Sequence, residues 1–240
     1  MRLAVLSDIH GNLTALEAVI ADLRTTSPDL VIQGGDVAAS GSRPAEVIDR
    51  IRDLQWPGIH GNTDAMLWSP AQLADFAERA PQLKALLGLI NDTGTACLAA
   101  IGRERLEWLK QLPERWSDHG VAVVHAAPGD LWRGAMPNAS DEELLRTYGP
   151  LGTPRVVYGH IHVPFVRRLP ALTVANSGSV SLPYDGDPRA SYVLLDDDEI
   201  SVRRVEYDFE EEIAELSKRS HPHAGWIASM LRSGKYQPPA

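Results

Sequence analysis

Cysteine is almost absent from this sequence, with Cys97 the only one among 240 residues. A single cysteine excludes an intrachain disulfide and any metal site built from several thiolates. A lone thiol of this kind is usually a small buried hydrophobe. We therefore expect Cys97 to be a core residue and the protein to work in a reducing compartment.

Basic residues are also in deficit, with 23 Lys and Arg against 32 Asp and Glu, which gives a net charge of −9. A field of this sign repels nucleic-acid backbones and anionic lipid surfaces. The N-terminal apolar run breaks at Asp8, and no stretch of about 18 residues is apolar without a charge. We expect a soluble, cytoplasmic protein with no extended nucleic-acid partner and no membrane partner.

Two apolar runs near the N-terminus, RLAVLSD from Arg2 and DLVIQGGD from Asp29, each end in polar residues and lead into helical spacing. They predict strand–loop–helix units, the second with a strand over 30–32 and a helix over 44–54. The segment WPGIHGN from Trp56 predicts a third, weaker strand. Parallel strands in such units bring their carboxyl ends to one edge, where a site is expected.

The later part of the sequence has two different residue patterns. Residues from about 65 to 112 are predominantly helical in pattern, and strand-like runs dominate after Val121. The first pattern predicts a helical cap inserted in a single domain over 1–240, with Trp68, Phe76 and Trp108 packed within the cap. The second predicts a β-rich partner sheet, whose last hairpin turns at DDDEI, residues 196–200.

Polar residues stand directly after the strand-like runs. A single histidine in such a place is more often structural than a ligand, and we assign His60, His221 and His223 to structural or solvated roles. Seven carboxylate, amide and imidazole groups at successive strand ends instead predict a metal site. These groups are Asp8, His10, Asp36, Asn62, His125, His160 and His162.

Two features of this set bear on the metal. His160 and His162 are two residues apart, so on an extended strand both would face the same way and could serve neighbouring ions. Imidazole with oxygen ligands and no thiolate suits Mn²⁺, Fe²⁺, Co²⁺, Ni²⁺ or Zn²⁺ better than Mg²⁺ or Ca²⁺.

Five ordered segments resemble the calcineurin-like metallophosphoesterase family: DIHGN at 8–12, GGD at 34–36, GN at 61–62, VVHAAPGD at 123–130 and GHIHVP at 159–164. NSGSV at 176–180 and DPRASYVLLD at 187–196 resemble its bacterial phosphodiesterase-type branch. The resemblance implies an α/β fold, a two-sheet αββα sandwich with the helical cap as an insertion. It also implies that Asp36 bridges two ions. Asp8, His10 and His162 would complete one site, and Asn62, His125 and His160 the other.

The resemblance further implies hydrolysis of phosphoesters by a metal-activated hydroxide, with Asp36, Asn62 and His125 as catalytic residues. Two cations about 3.5–4 Å apart can lower the pKa of a shared water and neutralise the phosphoryl oxygens. Mn²⁺ is the preferred ion, with Fe, Ni, Co or Zn as alternatives. We expect Asn12 and Arg43 to contact the substrate phosphate.

Thr63 stands where the family normally has a histidine that protonates the leaving group. General acid catalysis contributes about 10²–10⁴ in rate, and a threonine hydroxyl is far too weak an acid to supply it. Leaving groups that need protonation suffer most, so we predict a hydrolase of small phosphodiesters.

Two other functions remain open at this stage. One is a phosphomonoesterase or dinucleoside polyphosphate hydrolase, although such relatives commonly keep the histidine. The other is a non-catalytic metal-binding scaffold, which would have little reason to keep seven ligands. By analogy we also expect a homo-oligomer that associates through the apolar cap.

Overall fold

The computed structural model describes residues 1–197 and 199–239. Its strands are β1 (Arg2–Leu6), β2 (Leu30–Gly34), β3 (Gly58–Ile59), β4 (Arg115–Asp118), β5 (Val121–Val124), β6 (Arg155–Tyr158), β7 (Phe165–Arg168), β8 (Thr173–Asn176), β9 (Ala190–Asp196) and β10 (Glu199–Val205). Its helices are α1 (Leu13–Thr26), α2 (Pro44–Asp53), α3 (Asn62–Ala65), α4 (Pro70–Arg79), α5 (Lys84–Gln111), α6 (Asp141–Tyr148), α7 (Phe209–Lys218) and α8 (Ala224–Ser233).

These strands form two sheets that pack face to face. One has the order β10-β9-β1-β2-β3 and the other β4-β5-β6-β8-β7. Alternation along β1 explains the layering, because Leu3 and Val5 pack against Val123 and Val157 of the other sheet, whereas Leu6 faces the helices outside. On the far side of the second sheet, α6 covers the apolar outer face. The predicted αββα sandwich is confirmed.

The last hairpin lies in a different sheet from the one expected. β9 pairs antiparallel with β1, with Leu3 opposite Leu195, and β10 then pairs with β9. The prediction of a partner sheet formed by everything after Val121 was therefore wrong. β1 is buried on both faces, and β9 covers the edge that β2 leaves free. The hairpin strands are as predicted, but Asp198 in its turn lies outside the described residues.

The elements β4 and α6 were not predicted from the sequence. β4 is the polar run RWSD, which pairs antiparallel with β5. α6 begins after Ser140, whose hydroxyl accepts a hydrogen bond from the Glu143 backbone N–H at 3.2 Å. A serine followed by glutamate three residues later is a recognisable helix start, so this signal was available in the sequence.

The segment between β3 and β4 is helical, as its pattern predicts, but only part of it lies over the site. Gly102 interrupts α5 with φ 71° and ψ 174°. Beyond this break, Leu109 is fully buried in the core, and Arg105 forms an ion pair with Asp49 of α2 at 2.6 Å. The C-terminal part of α5 is therefore a member of the outer helical layer. Cys97, on the preceding part, is buried as expected.

One helix in the described ranges, over Pro81–Gln111, is long and apolar enough by length and composition to cross a membrane. Its most apolar 18-residue window is 28% buried, and Leu98 is the one large hydrophobic side chain of this described helix that is exposed. Asp92 lies within it, and the break at Gly102 interrupts it. The packing of its C-terminal part on α2 places it beside the sandwich.

The C-terminal helices connect to the loop that follows β2. Glu212 of α7 is buried, and its carboxylate accepts hydrogen bonds from the backbone N–H and the hydroxyl of Ser42 at 2.8 and 2.9 Å. Burial raises the pKa of Glu212 to about 7, against an ordinary value of 4.5. The Ser42 hydrogen bonds oppose this rise without cancelling it.

The raised pKa of Glu212 predicts a pH-dependent stability. Between pH 4.5 and about 7 the folded chain holds a proton that the unfolded chain has released, so the free energy of unfolding falls as pH rises through this window. We expect Glu212→Gln to remove up to about 3 kcal/mol of this fall. Urea unfolding from pH 4.5 to 8, with a chelator present, measures the difference.

Glu211→Gln, on the exposed side of the same helix, is the control and should keep the wild-type pH dependence. Parallel stability curves for wild type and Glu212→Gln would contradict the assignment.

Candidate metal centre

The carboxyl ends of parallel strands from both sheets meet at one edge of the sandwich. Backbone hydrogen bonds join the loops there, from Asp8 N–H to the Gly35 carbonyl and from Gly159 N–H to the His125 carbonyl, both at 3.0 Å. All seven sequence-predicted ligands come together at this edge. They follow β1 (Asp8, His10), β2 (Asp36), β3 (Asn62), β5 (His125) and β6 (His160, His162).

Each of the four histidines gives one ring nitrogen to a main-chain carbonyl. Since a carbonyl oxygen can only accept, that nitrogen must carry a proton, and in the neutral ring the other nitrogen keeps its lone pair for the interior of the site. The Nδ1 hydrogen bonds run from His10 to Ala39, from His125 to Gly34 and from His162 to Leu182, at 2.8, 3.0 and 2.6 Å. His160 is reversed and donates from Nε2 to the Trp132 carbonyl at 3.0 Å.

The inward atoms form two overlapping groups. Asp8, His10 and His162 make one group, and Asp8, Asp36 and His125 make the other; within each group the ligand atoms lie within 4.8 Å of one another. The amide oxygen of Asn62 extends the second group, since it lies 2.9 Å from both His125 Nε2 and His160 Nδ1.

The facing nitrogens of His10 and His162 test whether a metal fits. Their Nε2 atoms are 3.3 Å apart. Both Nδ1 atoms already donate to carbonyls, so in the neutral rings two lone pairs face each other and need a cation between them. Two imidazoles bound to one ion at about 2.0–2.1 Å would place their nitrogens at about this separation. The donor set therefore fits a transition metal with imidazole and oxygen ligands.

Asp36, a member of the second group, lies between His125 of that group and His10 of the first. Its carboxylate oxygens are 3.7 Å from His10 Nε2 and 3.5 Å from His125 Nε2, and the backbone N–H of Thr63 donates to it at 2.9 Å. Burial opposes ionisation of this carboxyl, but His125 and His10 outweigh it and lower the pKa of Asp36 below its ordinary value. Asp36 is thus a carboxylate held in place between histidines of both groups.

Burial and neighbours also set the protonation of the histidines. Burial, and after it the nearby His125, lower the pKa of His160 to about 4, so its ring is neutral at pH 7. For His125 burial acts in the same direction, but Asp36 outweighs it and raises the pKa to about 9. Binding of a metal at His125 would release that proton, as is general for imidazole ligands.

Five of the seven residues have left-handed backbone conformations. The φ angles are 55° for Asp8, 50° for His10, 54° for Asp36, 66° for His160 and 57° for His162. Non-glycine residues rarely adopt such angles, and clusters of them are typical of functional sites. The expectation that His160 and His162 share one face of an extended strand was wrong, because β6 ends at Tyr158. Their positive φ angles in the following loop turn both rings inward instead.

Asp64 supports the site and was not singled out from the sequence. Its buried carboxylate accepts backbone N–H groups of Val37 at 3.0 Å and Gly61 at 3.1 Å, and so joins the loop of Asp36 to that of Asn62. Burial, with the charge of Asp36 second, raises the pKa of Asp64 to about 7. An acidic residue at the third position of α3 was the available signal.

Gly61 lies where only glycine fits. A Cβ there would collide with the Asp36 carboxylate and approach the His125 ring. The space beside Gly61 is thus occupied by the side chains of Asp36 and His125.

Two residues predicted to contact substrate lie elsewhere. Asn12 is fully buried and caps α1, with its amide oxygen accepting from Ala15 N–H at 2.9 Å. The Arg43 guanidinium contacts the Thr14 hydroxyl and lies 3.7 Å from the Glu212 carboxylate. Neither residue lines the cavity above the metal ligands. Substrate contact by Asn12 or Arg43 therefore has no support in this geometry.

A cavity of about 460 Å³ opens above the ligands. Asn62 and Thr63 lie on its floor, and Phe76 of α4 lines its wall, stacked on Trp132 with ring centroids 5.0 Å apart. Phe76 packs in one cluster with the cap residues Leu73 and Leu87, as expected, and it also lines this space. Trp68 instead lies edge-on against His60, in keeping with a structural role for that histidine.

Removal of the Asp36 charge tests the metal assignment. We expect Asp36→Asn to weaken Mn²⁺ binding by at least about 100-fold, since loss of even an outer-shell partner costs 10–100-fold. Isothermal titration calorimetry with the chelator-treated protein measures this. His119→Ala, at an exposed histidine far from the ligands, is the control and should bind as wild type. Equal affinity of Asp36→Asn and wild type would contradict the site.

Comparison with known proteins agrees with this arrangement. The model of the calcineurin-like phosphoesterase superfamily domain matches residues 1–199. Protein MJ0912 of Methanocaldococcus jannaschii is 30% identical over 256 residues, covering 97% of this chain and 98% of its own. Phosphodiesterase YfcE of Escherichia coli K12 is 28% identical over 212 residues, covering 84% and 91%. A metallophosphoesterase structure from Sphaerobacter thermophilus superposes with a TM-score of 0.79 at 25% identity, covering 98% and 99%. The chain belongs to the calcineurin-like phosphoesterase superfamily and is a phosphoester hydrolase.

Proposed function

We propose that this enzyme hydrolyses small phosphodiesters at a dinuclear centre of two divalent transition-metal ions. The observation that carries the proposal is Thr63, which lies on the cavity floor directly after Asn62 and offers no proton donor of suitable strength. The similarity to phosphodiesterase YfcE supports the same substrate class.

The ligand geometry supports two ions. His10 and His162 face each other across one side of Asp36, and His125 and His160 converge on Asn62 at the other side. When bound, the ions supply an activated water for attack and offset the charge on the phosphoryl oxygens. Mn²⁺ is the ion we propose, and Fe²⁺, Co²⁺, Ni²⁺ and Zn²⁺ suit the same donors.

The protein's own contribution is positional. Asp36 is oriented by the Thr63 N–H, and Asp8 by the His160 N–H at 2.9 Å and the Ser7 hydroxyl. These hydrogen bonds hold both carboxylates without competition from water, since Asp8 and Asp36 are buried. Fixed ligands require little reorganisation when charge develops on the substrate.

Thr63 has two separable parts. Its backbone N–H holds Asp36, whereas its side-chain Oγ1 is buried and has no hydrogen-bond partner. The hydroxyl is therefore dispensable for the ligand geometry. The leaving alkoxide or phenolate departs without protonation by this residue, which favours esters of acidic alcohols.

We also propose a cytoplasmic location and a small-molecule substrate. The net charge of −9 disfavours binding to extended nucleic acid or anionic membranes. Homo-oligomer formation through the apolar cap stays a prediction.

The function is tested with bis(p-nitrophenyl) phosphate and protein loaded with Mn²⁺, Co²⁺ or Ni²⁺. We expect metal-dependent turnover that Asp36→Asn abolishes. Thr63→His should raise the rate with methyl phenyl phosphate, a diester with a poorer leaving group, by about 10²-fold or more, because it restores a general acid. It should leave the p-nitrophenyl diester within about threefold, since that leaving group needs no proton.

Thr63→Val is the matched control, since it keeps the shape and the backbone N–H but removes the unpartnered hydroxyl. Its activity should equal that of wild type. Lack of turnover by wild type at full metal occupancy would contradict the function, and loss of activity in Thr63→Val would contradict the passive role of the hydroxyl.

A further inference from the structure

The walls of the cavity above the metal ligands differ in chemistry from its floor. One wall is aliphatic and comes from Leu83 and the first turns of α5, with Leu86, Leu87 and Ile90. Other parts of the lining are aromatic. They comprise Phe76 stacked on Trp132, together with Tyr184, Trp226 and Tyr236.

The aromatic wall at the C-terminal side is a built feature. Tyr184 stacks on the His162 ring, with centroids 4.5 Å apart and planes inclined by 21°. Tyr236 meets Tyr184 edge-on at 5.6 Å. The indole N–H of Trp226 donates to the Gln237 carbonyl at 2.8 Å, which folds the chain end back over α8. An unbroken line of rings thus leads from a metal ligand to the cavity rim.

Two of the three residues of this wall, Trp226 and Tyr236, lie outside the family match, and Tyr184 lies within it. Residues 1–199 carry the family domain, whereas Trp226 and Tyr236 belong to the segment that follows it. The C-terminal segment therefore adds a surface to the site without supplying any metal ligand. A surface of this kind affects which substrate binds, whereas the reaction itself depends on the residues of the cavity floor.

Cationic side chains are missing from the lining. Among the lining residues that the structure describes, none is Lys or Arg, and Asp36 is the only carboxylate. Sites for phosphomonoesters and polyphosphates commonly add arginine or lysine to offset the further negative charge. A diester carries one charge and two ester groups, so it leaves less charge to offset and more apolar surface to bury.

We infer that the substrate is a monoanionic phosphodiester with a planar aromatic ester group, which binds between the aliphatic face of α5 and the rings of Trp226 and Tyr236. The inference rests on the proposed function for the position of the phosphate. A planar ring can stack on or pack edge-on against aromatic lining residues, and such contacts add to the gain from burial of apolar area. The size of the cavity is within the ordinary range for small-molecule sites.

The test is a binding measurement with three monoanions that share one phosphoryl group and differ in the other substituent. They are methyl methylphosphonate, methyl octylphosphonate and methyl 1-naphthylphosphonate, titrated by calorimetry into Mn²⁺-loaded protein. We expect the naphthyl compound to bind at least about tenfold more tightly than either of the others.

The wall is tested with Trp226→Ala and Tyr236→Ala. Each should weaken binding of the naphthyl compound by at least about fivefold and leave the methyl compound unchanged. Trp226→Phe retains a ring and the packing on α8, so it should keep most of the affinity. Trp56→Ala, a partly buried tryptophan outside the cavity, is the matched control and should bind all three compounds as wild type.

Equal affinity of wild type for the naphthyl and methyl compounds would overturn the inference. Binding of the octyl compound as tightly as the naphthyl compound would also overturn it, in favour of a flexible chain. If Trp226→Ala and Trp226→Phe lowered the affinity for all ligands by the same factor, the variants would have damaged the site in general, and the result would count against a ring contact. These measurements record binding without turnover. A failed hydrolysis assay would therefore contradict the proposed function, and the affinity ratios would still test the substrate class.

Discussion

The hydrogen bond from a histidine ring to a main-chain carbonyl is the interaction on which this site depends. In all four site histidines it fixes which nitrogen carries the proton, and it thereby turns the other lone pair inward. The accepting carbonyls are those of Gly34, at the end of β2, and of residues in three loops: Ala39 after β2, Trp132 after β5 and Leu182 before β9. The two-sheet sandwich therefore holds these carbonyls in place, and so keeps the lone pairs directed at the site.

That convergence has a conformational cost, which the surrounding packing offsets. Five ligand residues hold positive φ angles, each of which costs of the order of 1–3 kcal/mol. Asp64 binds the loops of Asp36 and Asn62 together, and the Ser179 hydroxyl donates to the Asp8 carbonyl at 2.8 Å. Most of the buried polar residues surround this edge of the sandwich, so the site is more tightly connected than the cap above it.

The sequence predicted which polar residues converge better than it predicted the geometry that brings them together. Polar residues after apolar runs identified Asp8, Asp36 and their partners, because strand ends of an αββα fold meet at one edge. The inward orientation of the His160 and His162 rings could not be predicted from their two-residue spacing, because it depends on the φ angles of the loop. Asn12 was predicted to contact the substrate, but its side chain instead caps α1. The position of β9 beside β1 and the fold-back of Trp226 depend on long-range packing, which local patterns do not contain.

The central claim is that the facing imidazoles and the bridging carboxylate hold two ions side by side. An anomalous-scattering map of Mn²⁺-soaked crystals tests it most directly. The account predicts two peaks about 3.5–4 Å apart, one between His10 and His162 and one beside Asn62 and His125, with Asp36 between them. A single peak, or none at this edge in crystals of protein shown to bind Mn²⁺, would contradict it.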